Sequence, residues 1–567
     1  MSVDGGETPH IQIYGDGDEL WRTLATAGPK ATAEALTDAD FERLHIEGTI
    51  EQFLSARVRA GRSIVLTGNA GDGKTHLLRR VKADLEAAGA EVIEDATALM
   101  RDDEAGPILE KWEKAIGLGR PFCIAANEYP LYQLRMADRT ATHLAEVSRQ
   151  CRHRLAYGAV TPDEEADDVL VVDLSLRNPL SAGFFDALID TMLADHGLKR
   201  ALASPSEPVA RRNVELLSLT LVRDRLRVLV NRLVALGYRA TVRELWILVA
   251  RMVFGRLGRN DYQRGDWYSE ALFARDDRFD VTAALQAVDP ASSSHPFWDG
   301  ALELRTPSVR RGWALHAPVL PPHPTLEWTD FAALKRRFYF EHESGKQVFD
   351  LADLDAIDFE MLLADKRGSR RALVAQLVDA INAAYCPVRF NSRDQHLYLW
   401  NAHRFHEQPS RSFVAVDRVA TDSLDLEIPR LPARLDGCFD YRPDHVALTA
   451  SSLPGVPRLR VDFPLWRTLR RLARGLPRKL IPERDIHRLD AFLENLGASI
   501  PGKRDTIWSV HLENLELIQV NLSADGRRFE GARTLCVGWC GPGPSGKRTR
   551  RRSFAFMVRS LGISRTG

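Results

Sequence analysis

The chain has 567 residues, of which 44% are apolar and 27% charged. That length predicts roughly two to four domains rather than one core, and that composition describes a folded chain rather than a disordered one. The 77 basic and 77 acidic residues cancel overall, yet residues 451–567 carry 22 Lys/Arg against 10 Asp/Glu and the first 50 residues carry 3 against 10, a polarity that fits an anionic partner or docking of one end on the other.

Residues 1–47 read as a polar lead-in with some local helix. Ile50, Phe53, Leu54 and Val58 then recur at helical spacing, and Ala60-Gly61 closes that helix. Ser63-Ile64-Val65-Leu66-Thr67 is a short apolar strand, and Leu77, Leu78, Val81 and Leu85 mark one face of a helix that Gly89 ends. Further strands are expected at 91–94, 122–126 and 169–172. Buried strands alternating with helices predict an α/β fold with a parallel, helix-covered sheet over 48–205.

From Val209 to Gly255 the leucine spacing is helical, with a capping box at Thr241 and Glu244, which makes 206–289 a helical subdomain. Residues 290–450 are a mixed connecting region, irregular to about 330. The remaining 451–567 form a basic, mixed α+β C-terminal region, with helices from Leu465 and from Asp485 and strands at 506–510 and 515–520.

Between the first strand and its helix lies Gly68-Asn69-Ala70-Gly71-Asp72-Gly73-Lys74-Thr75, a G-x-x-x-x-G-K-[ST] pattern in the strand–loop–helix context that its mechanism requires. Glycines let successive backbone N–H groups turn inward on a phosphate, and the helix N-terminus adds its partial positive charge. Lys74 is placed to reach the β- and γ-phosphates and Thr75 to ligate Mg²⁺, with His76 beside them. ATP and Mg²⁺ are the expected ligands.

A second acid must hold the metal shell. Asp95, Glu128 and Asp173 each follow a strand end, where a parallel sheet opens its ligand crevice. Asp95 is assigned to Mg²⁺, Asn127 to sensing the γ-phosphate and Glu128 to orienting water.

The loop, the Ile124-Ala125-Ala126-Asn127-Glu128 strand end and the helical 209–255 segment together resemble AAA-type and STAND-like P-loop ATPases over roughly residues 48–255. The resemblance implies a P-loop NTPase sheet followed by a helical lid. It further implies an arginine reaching the nucleotide, with Arg243 at a lid-helix start or Arg177 past the fourth strand as candidates. No Asp-Glu pair ends an apolar strand here, a departure that puts hydrolysis in question but not binding. Gly-Asn-Ala-Gly-Asp-Gly-Lys-Thr-His and Leu334-Lys335-Arg336-Arg337-Phe338-Tyr339-Phe340 are also similar in style to bacterial defence ATPases of phosphorothioation-dependent restriction.

Asn-Lys-x-Asp and Leu-Ser-Gly-Gly-Gln elements are absent, against a GTPase or an ABC engine. Asp102-Asp103-Glu104 has no apolar strand before it and reads as a helix start. Lys547-Arg548-Thr549-Arg550-Arg551-Arg552 and the looser Arg467, Arg470, Arg471, Arg474, Arg478, Lys479 cluster suit nucleic-acid phosphates or an acidic protein face. The six cysteines, with only Cys536 and Cys540 close together, fit free thiols in a reducing compartment. The acidic start without an apolar core predicts no signal peptide, and no apolar run is long enough to span a bilayer, so a soluble cytoplasmic protein is expected. Two readings stand: an ATP-driven motor or switch working as an oligomer or on DNA or protein partners, and an ATP-bound signalling scaffold with little turnover.

Overall fold

The computed structural model describes residues 20–26, 37–100, 106–137, 169–203, 208–255, 267–274, 280–292, 331–348, 354–364, 370–385, 396–400, 412–431, 433–453, 456–475, 480–500, 506–511 and 516–521. Two compact units emerge. Unit 1 comprises 1–353 together with 430–442, and unit 2 comprises 354–429 with 443–567.

Unit 1 is mixed α/β and is built on β1 (Ser63–Thr67), β2 (Glu91–Ile93), β3 (Phe122–Ala125) and β4 (Val169–Asp173). The strands form a four-stranded sheet in the order β2-β3-β1-β4, and every neighbouring pair is parallel. Strand alternation sorts the side chains onto two faces. Ile64, Leu66, Cys123, Ala125, Leu170 and Val172 pack with Leu54, Val58, Leu77 and Val81 on one side. Val65, Phe122, Ile124, Val169 and Val171 pack with Ile108, Trp112 and Leu134 on the other. With helices covering both faces, the strands are largely apolar, with polar residues only at their ends (Ser63, Thr67, Glu91 and Asp173).

The helices that cover the sheet are α3 (Thr49–Arg59), α4 (Lys74–Ala87), α5 (Ala96–Leu99), α6 (Gly106–Gly117) and α7 (Glu128–Ala137). Two earlier ones, α1 (Leu20–Thr26) and α2 (Asp38–Arg43), lie in the stretch read as a polar lead-in. Trp21 of α1 is fully buried, and its ring lies 5.6 Å from that of Trp246.

After the sheet the chain is helical: α8 (Ala182–Ala194), α9 (His196–Ala203), α10 (Pro208–Leu217), α11 (Thr220–Ala235) and α12 (Val242–Phe254). They share one large apolar core with α1 and with α13 (Phe331–Glu341). Helix α13 carries the segment likened above to defence ATPases. Its Phe338, Tyr339 and Phe340 are core residues, and its Arg336 is held by Glu270 and Asp289 at 2.7 and 2.6 Å.

Unit 2 contains two antiparallel sheets. One has the order β11-β10-β6-β5 and the other β7-β8-β9, built from β5 (His396–Trp400), β6 (Ser412–Ala420), β7 (Asp425–Glu427), β8 (His445–Thr449), β9 (Arg458–Asp462), β10 (Thr506–His511) and β11 (Glu516–Asn521). Helices α14 (Leu354–Leu363), α15 (Arg370–Tyr385), α16 (Phe463–Ala473) and α17 (Glu483–Ser499) accompany them. Two arginines of the looser basic cluster are engaged by acids within the unit: Arg470 meets Asp358 at 2.8 Å, and Arg474 meets Asp355 at 3.6 Å. The run 547–552, the acidic triplet 102–104, Arg478, Lys479, Cys151, Cys386, Cys536 and Cys540 lie outside the described residues. Cys123 and Cys438 are free and buried. Among the described residues no helix is long and apolar enough to cross a membrane.

Candidate functional site

The loop after β1 turns on glycines. Gly68, Gly71 and Gly73 have φ of 142°, 95° and 91°, values that an L side chain rarely adopts. Gly73 is the N-cap of α4, so the helix begins at Lys74 and its unpaired N–H groups open toward the loop. Within the loop, Asp72 is buried and its Oδ2 accepts the backbone N–H of Asn69 at 2.6 Å. The Lys74 ammonium donates to the carbonyls of Gly68 and Asn69 at 3.0 and 2.6 Å. A Cβ on Gly68 would stand 2.8 Å from Asp72 Oδ2, and one on Gly71 would stand 3.1 Å from Thr241 Oγ1 and 3.2 Å from Arg243 Cβ. Backbone curvature and close packing therefore both demand glycine here.

A cleft of about 670 Å³ opens over this loop. Residues Ala70 through His76 line it, as do Asp95, Asn127, Arg177 and Arg243. The sheet order explains this convergence. Strand β3 lies beside β1 and delivers Asn127 at its C-terminal end, while β2 lies beyond β3 and delivers Asp95. Helix α12 starts against the loop, where the Arg243 N–H donates to the Gly71 carbonyl at 3.1 Å. Its capping box is present as expected, with Glu244 N–H donating to Thr241 Oγ1 and Glu244 Oε2 accepting from the Thr241 N–H.

The strand-end acids differ in their surroundings. Asp95 lines the cleft while its Oδ1 caps α5 by accepting the Thr97 N–H at 2.8 Å. Its neighbour Glu94 is bound by Arg79 at 3.0 Å and Lys82 at 2.8 Å. Burial would raise the Glu94 pKa, but these hydrogen bonds and charges hold it below the ordinary carboxylate value. Asp173 stands opposite Thr67 in register, is buried, and accepts the Ser175 N–H at 2.9 Å. It is not among the residues lining the cleft. Glu128 begins α7, and its side chain lies outside the described residues.

Asn127 Oδ1 and Thr67 Oγ1 are buried with no hydrogen-bond partner. Orphaned acceptors of this kind are costly unless a ligand, ion or water meets them. Asn127 lines the cleft with the glycine cradle, the ammonium and the helix N-terminus, a set that could hold a phosphate and its hydrated cation, whereas Thr67 is not among the lining residues. Among the described residues no three His, Cys, Asp or Glu side chains converge as a metal site. A Mg²⁺ held by one hydroxyl, one carboxylate and phosphate oxygens needs no such cluster.

The cleft also has walls that sequence reasoning missed. Leu20, Leu24, Phe41, Leu44, His45, Ile46 and Trp246 form its apolar side. The rings of His45 and His76 stack at 5.5 Å, with His45 Nδ1 3.2 Å from His76 Nε2. Burial, the His45 ring and nearby Arg79, Arg80 and Arg177 press the His76 pKa down to about 4. Burial also lowers that of His45, with Glu51 opposing. Both shifts favour the neutral imidazole. A lead-in poor in periodic apolar positions carried no signal for this wall, except the isolated Leu20-Trp21 pair.

Comparison of the chain with known protein families, with curated proteins and with solved structures finds no match.

Proposed function

We propose that unit 1 is a P-loop nucleotide-binding domain that takes ATP with Mg²⁺, that α10–α12 act as its helical lid, and that the chain works as an ATP-driven switch or motor. The observation that carries this reading is the convergence on one cleft of the glycine loop, Asp95, Asn127 and Arg243, groups from four separate parts of the chain. Backbone N–H groups at the start of α4 would hold the phosphates, and Lys74 would exchange its loop carbonyls for their oxygens. Thr75 and Asp95 would hold the cation, which when bound neutralises phosphate charge. Asn127, with its orphaned Oδ1, would sense the γ-phosphate, and Glu128 would orient the attacking water. Arg243 at the lid helix and Arg177 past β4 would meet the terminal phosphate.

A nucleic-acid partner through the basic 451–567 region, homo-oligomers or protein partners, a cytoplasmic setting and a place in DNA-related bacterial defence extend the same proposal. The charge of that region supports the first, although acids already engage Arg470 and Arg474.

One observation favours a second reading, an ATP-bound scaffold with little turnover. The acids lining the cleft are Glu51, Asp72, Glu94 and Asp95, and each already accepts a structural hydrogen bond. Measuring ATP turnover and mant-ATP binding for the protein and for Lys74→Ala, with and without duplex DNA, separates the readings. Tight binding with near-zero turnover selects the scaffold, whereas DNA-stimulated turnover selects the motor. Binding and turnover unaltered in Lys74→Ala would overturn the site itself.

A further inference from the structure

Strands β7 and β8 pair antiparallel, with Asp425 opposite Thr449, Leu426 opposite Leu448 and Glu427 opposite Ala447. Their connection is not a tight turn. Its middle, residues 430–442, belongs to unit 1. Leu435 and Cys438 are buried there in the core that holds Ile50, Leu54, Val58 and Leu174. Three hydrogen bonds fasten the segment: Thr49 Oγ1 donates to the Cys438 carbonyl at 3.1 Å, Arg57 Nη2 to the Arg434 carbonyl at 3.2 Å, and the Asn178 N–H to the Asp440 carbonyl at 3.1 Å. An isolated antiparallel bridge joins Arg177 to Tyr441.

Arg177 thus carries two relationships at once. Its backbone bridges the segment, and its side chain lines the cleft, where the guanidinium lies 4.2 Å over the Phe184 ring. Among the described residues no carboxylate forms an ion pair with it. Glu51, Asp440 and Asp72 attract the guanidinium without forming an ion pair with it, so with the aromatic face beneath it the group can still meet an anion.

Resting on the nucleotide reading above, we propose that residues 430–442 are a strap through which occupancy of the cleft is relayed, by way of Arg177 and Tyr441, to the β7–β8 hairpin. A phosphate that draws the Arg177 guanidinium shifts the 177–178 backbone, and both strap contacts of that backbone shift with it. The strap continues without a break into β7 on one side and β8 on the other, so its altered anchoring reaches the hairpin through covalent chain. Coupling requires only that the ligand interact differently with the two anchorings of the strap.

The test is amide hydrogen exchange on the full chain, with and without Mg²⁺ and the slowly hydrolysed analogue ATPγS, with mant-ATP binding measured on the same samples. Expected is a slowing of exchange in 430–442 and in 425–427 and 445–449 by about 5- to 150-fold, the usual range of coupling between sites. At saturating nucleotide that slowing disappears in Arg177→Gln. Binding without slowing in the strap or the hairpin overturns the relay and leaves the nucleotide reading intact. Slowing that persists in nucleotide-saturated Arg177→Gln also overturns it, because another route then carries the effect. Absence of binding in the unaltered protein overturns the nucleotide reading and the relay together.

Discussion

The backbone N–H of Arg243 donates to the carbonyl of Gly71 at 3.1 Å, so the first turn of α12 rests directly on the middle of the glycine loop. Gly71 has φ of 95°, and a Cβ there would press on Thr241 and Arg243. Gly71→Ala is expected to destabilise the fold by about 1–3 kcal/mol through strain and overpacking. Nucleotide affinity should fall by a larger factor than in an exposed control such as Gly119→Ala, whose added Cβ meets nothing within 4 Å. Thermal unfolding and mant-ATP titration of both variants check this, and equal affinities would break the link between loop and helix.

Among the strand-end acids, Asp95 shares the cleft with Thr75 and Asn127, whereas Asp173 does not line it. Asp95→Asn is therefore expected to raise the Mg²⁺ concentration needed for half-maximal turnover by about 10- to 100-fold, while metal-free nucleotide binding stays close to that of the unaltered protein. Asp173→Asn should leave the Mg²⁺ dependence unchanged. The reverse pattern would assign the cation to Asp173.

His76 has a folded-state pKa of about 4, below its ordinary value of 6.5, chiefly through burial and then the positive neighbours. The unfolded chain therefore binds more protons between those two values. The stabilising contribution of the neutral ring is complete above about pH 6.5 and is lost as pH falls toward 4. His76→Gln should flatten the denaturation midpoint against pH across that window, while carboxylates dominate below it. A slope as steep as in the unaltered protein would place the titrating group elsewhere.

Asp195 ties the N-terminal helices to the helical core. It accepts from Trp21 Nε1 at 2.8 Å, from Arg43 through two donors at 2.9 and 2.8 Å, and from the Leu198 N–H at 2.8 Å. Burial would raise its pKa, but these hydrogen bonds hold it near 2. Asp195→Ala removes the acceptor of Trp21 Nε1 and the shorter of two ion pairs of Arg43, whose other carboxylate, Asp40, stands at 3.6 Å, and a loss of about 2–4 kcal/mol is expected by urea denaturation. Because Leu20 and Leu24 of α1 line the cleft, nucleotide affinity should fall as well. Unchanged stability would show that α1 is held by apolar packing alone.

Sequence alone determined what is local. Short apolar runs placed β1 through β4, and helical spacing and cap chemistry placed α3, α4 and the capped α12, close to their observed limits, because each of these signals depends on residues within a turn or two of each other. The glycine loop was legible for the same reason, since its strand, turn and helix are contiguous. Tertiary structure alone decided which distant groups meet. The order β2-β3-β1-β4 brings Asn127 and Asp95 to the loop, while Asp173 on the neighbouring β4 turns its carboxylate to the Ser175 N–H and stays outside the cleft lining, a choice that three equivalent strand-end acids could not reveal. It also buried Trp21 from a stretch that read as polar, and it returned residues 430–442 to the core of unit 1. Such placements arise from long-range packing, whose energy is shared among residues hundreds of positions apart and leaves no periodic mark on the chain.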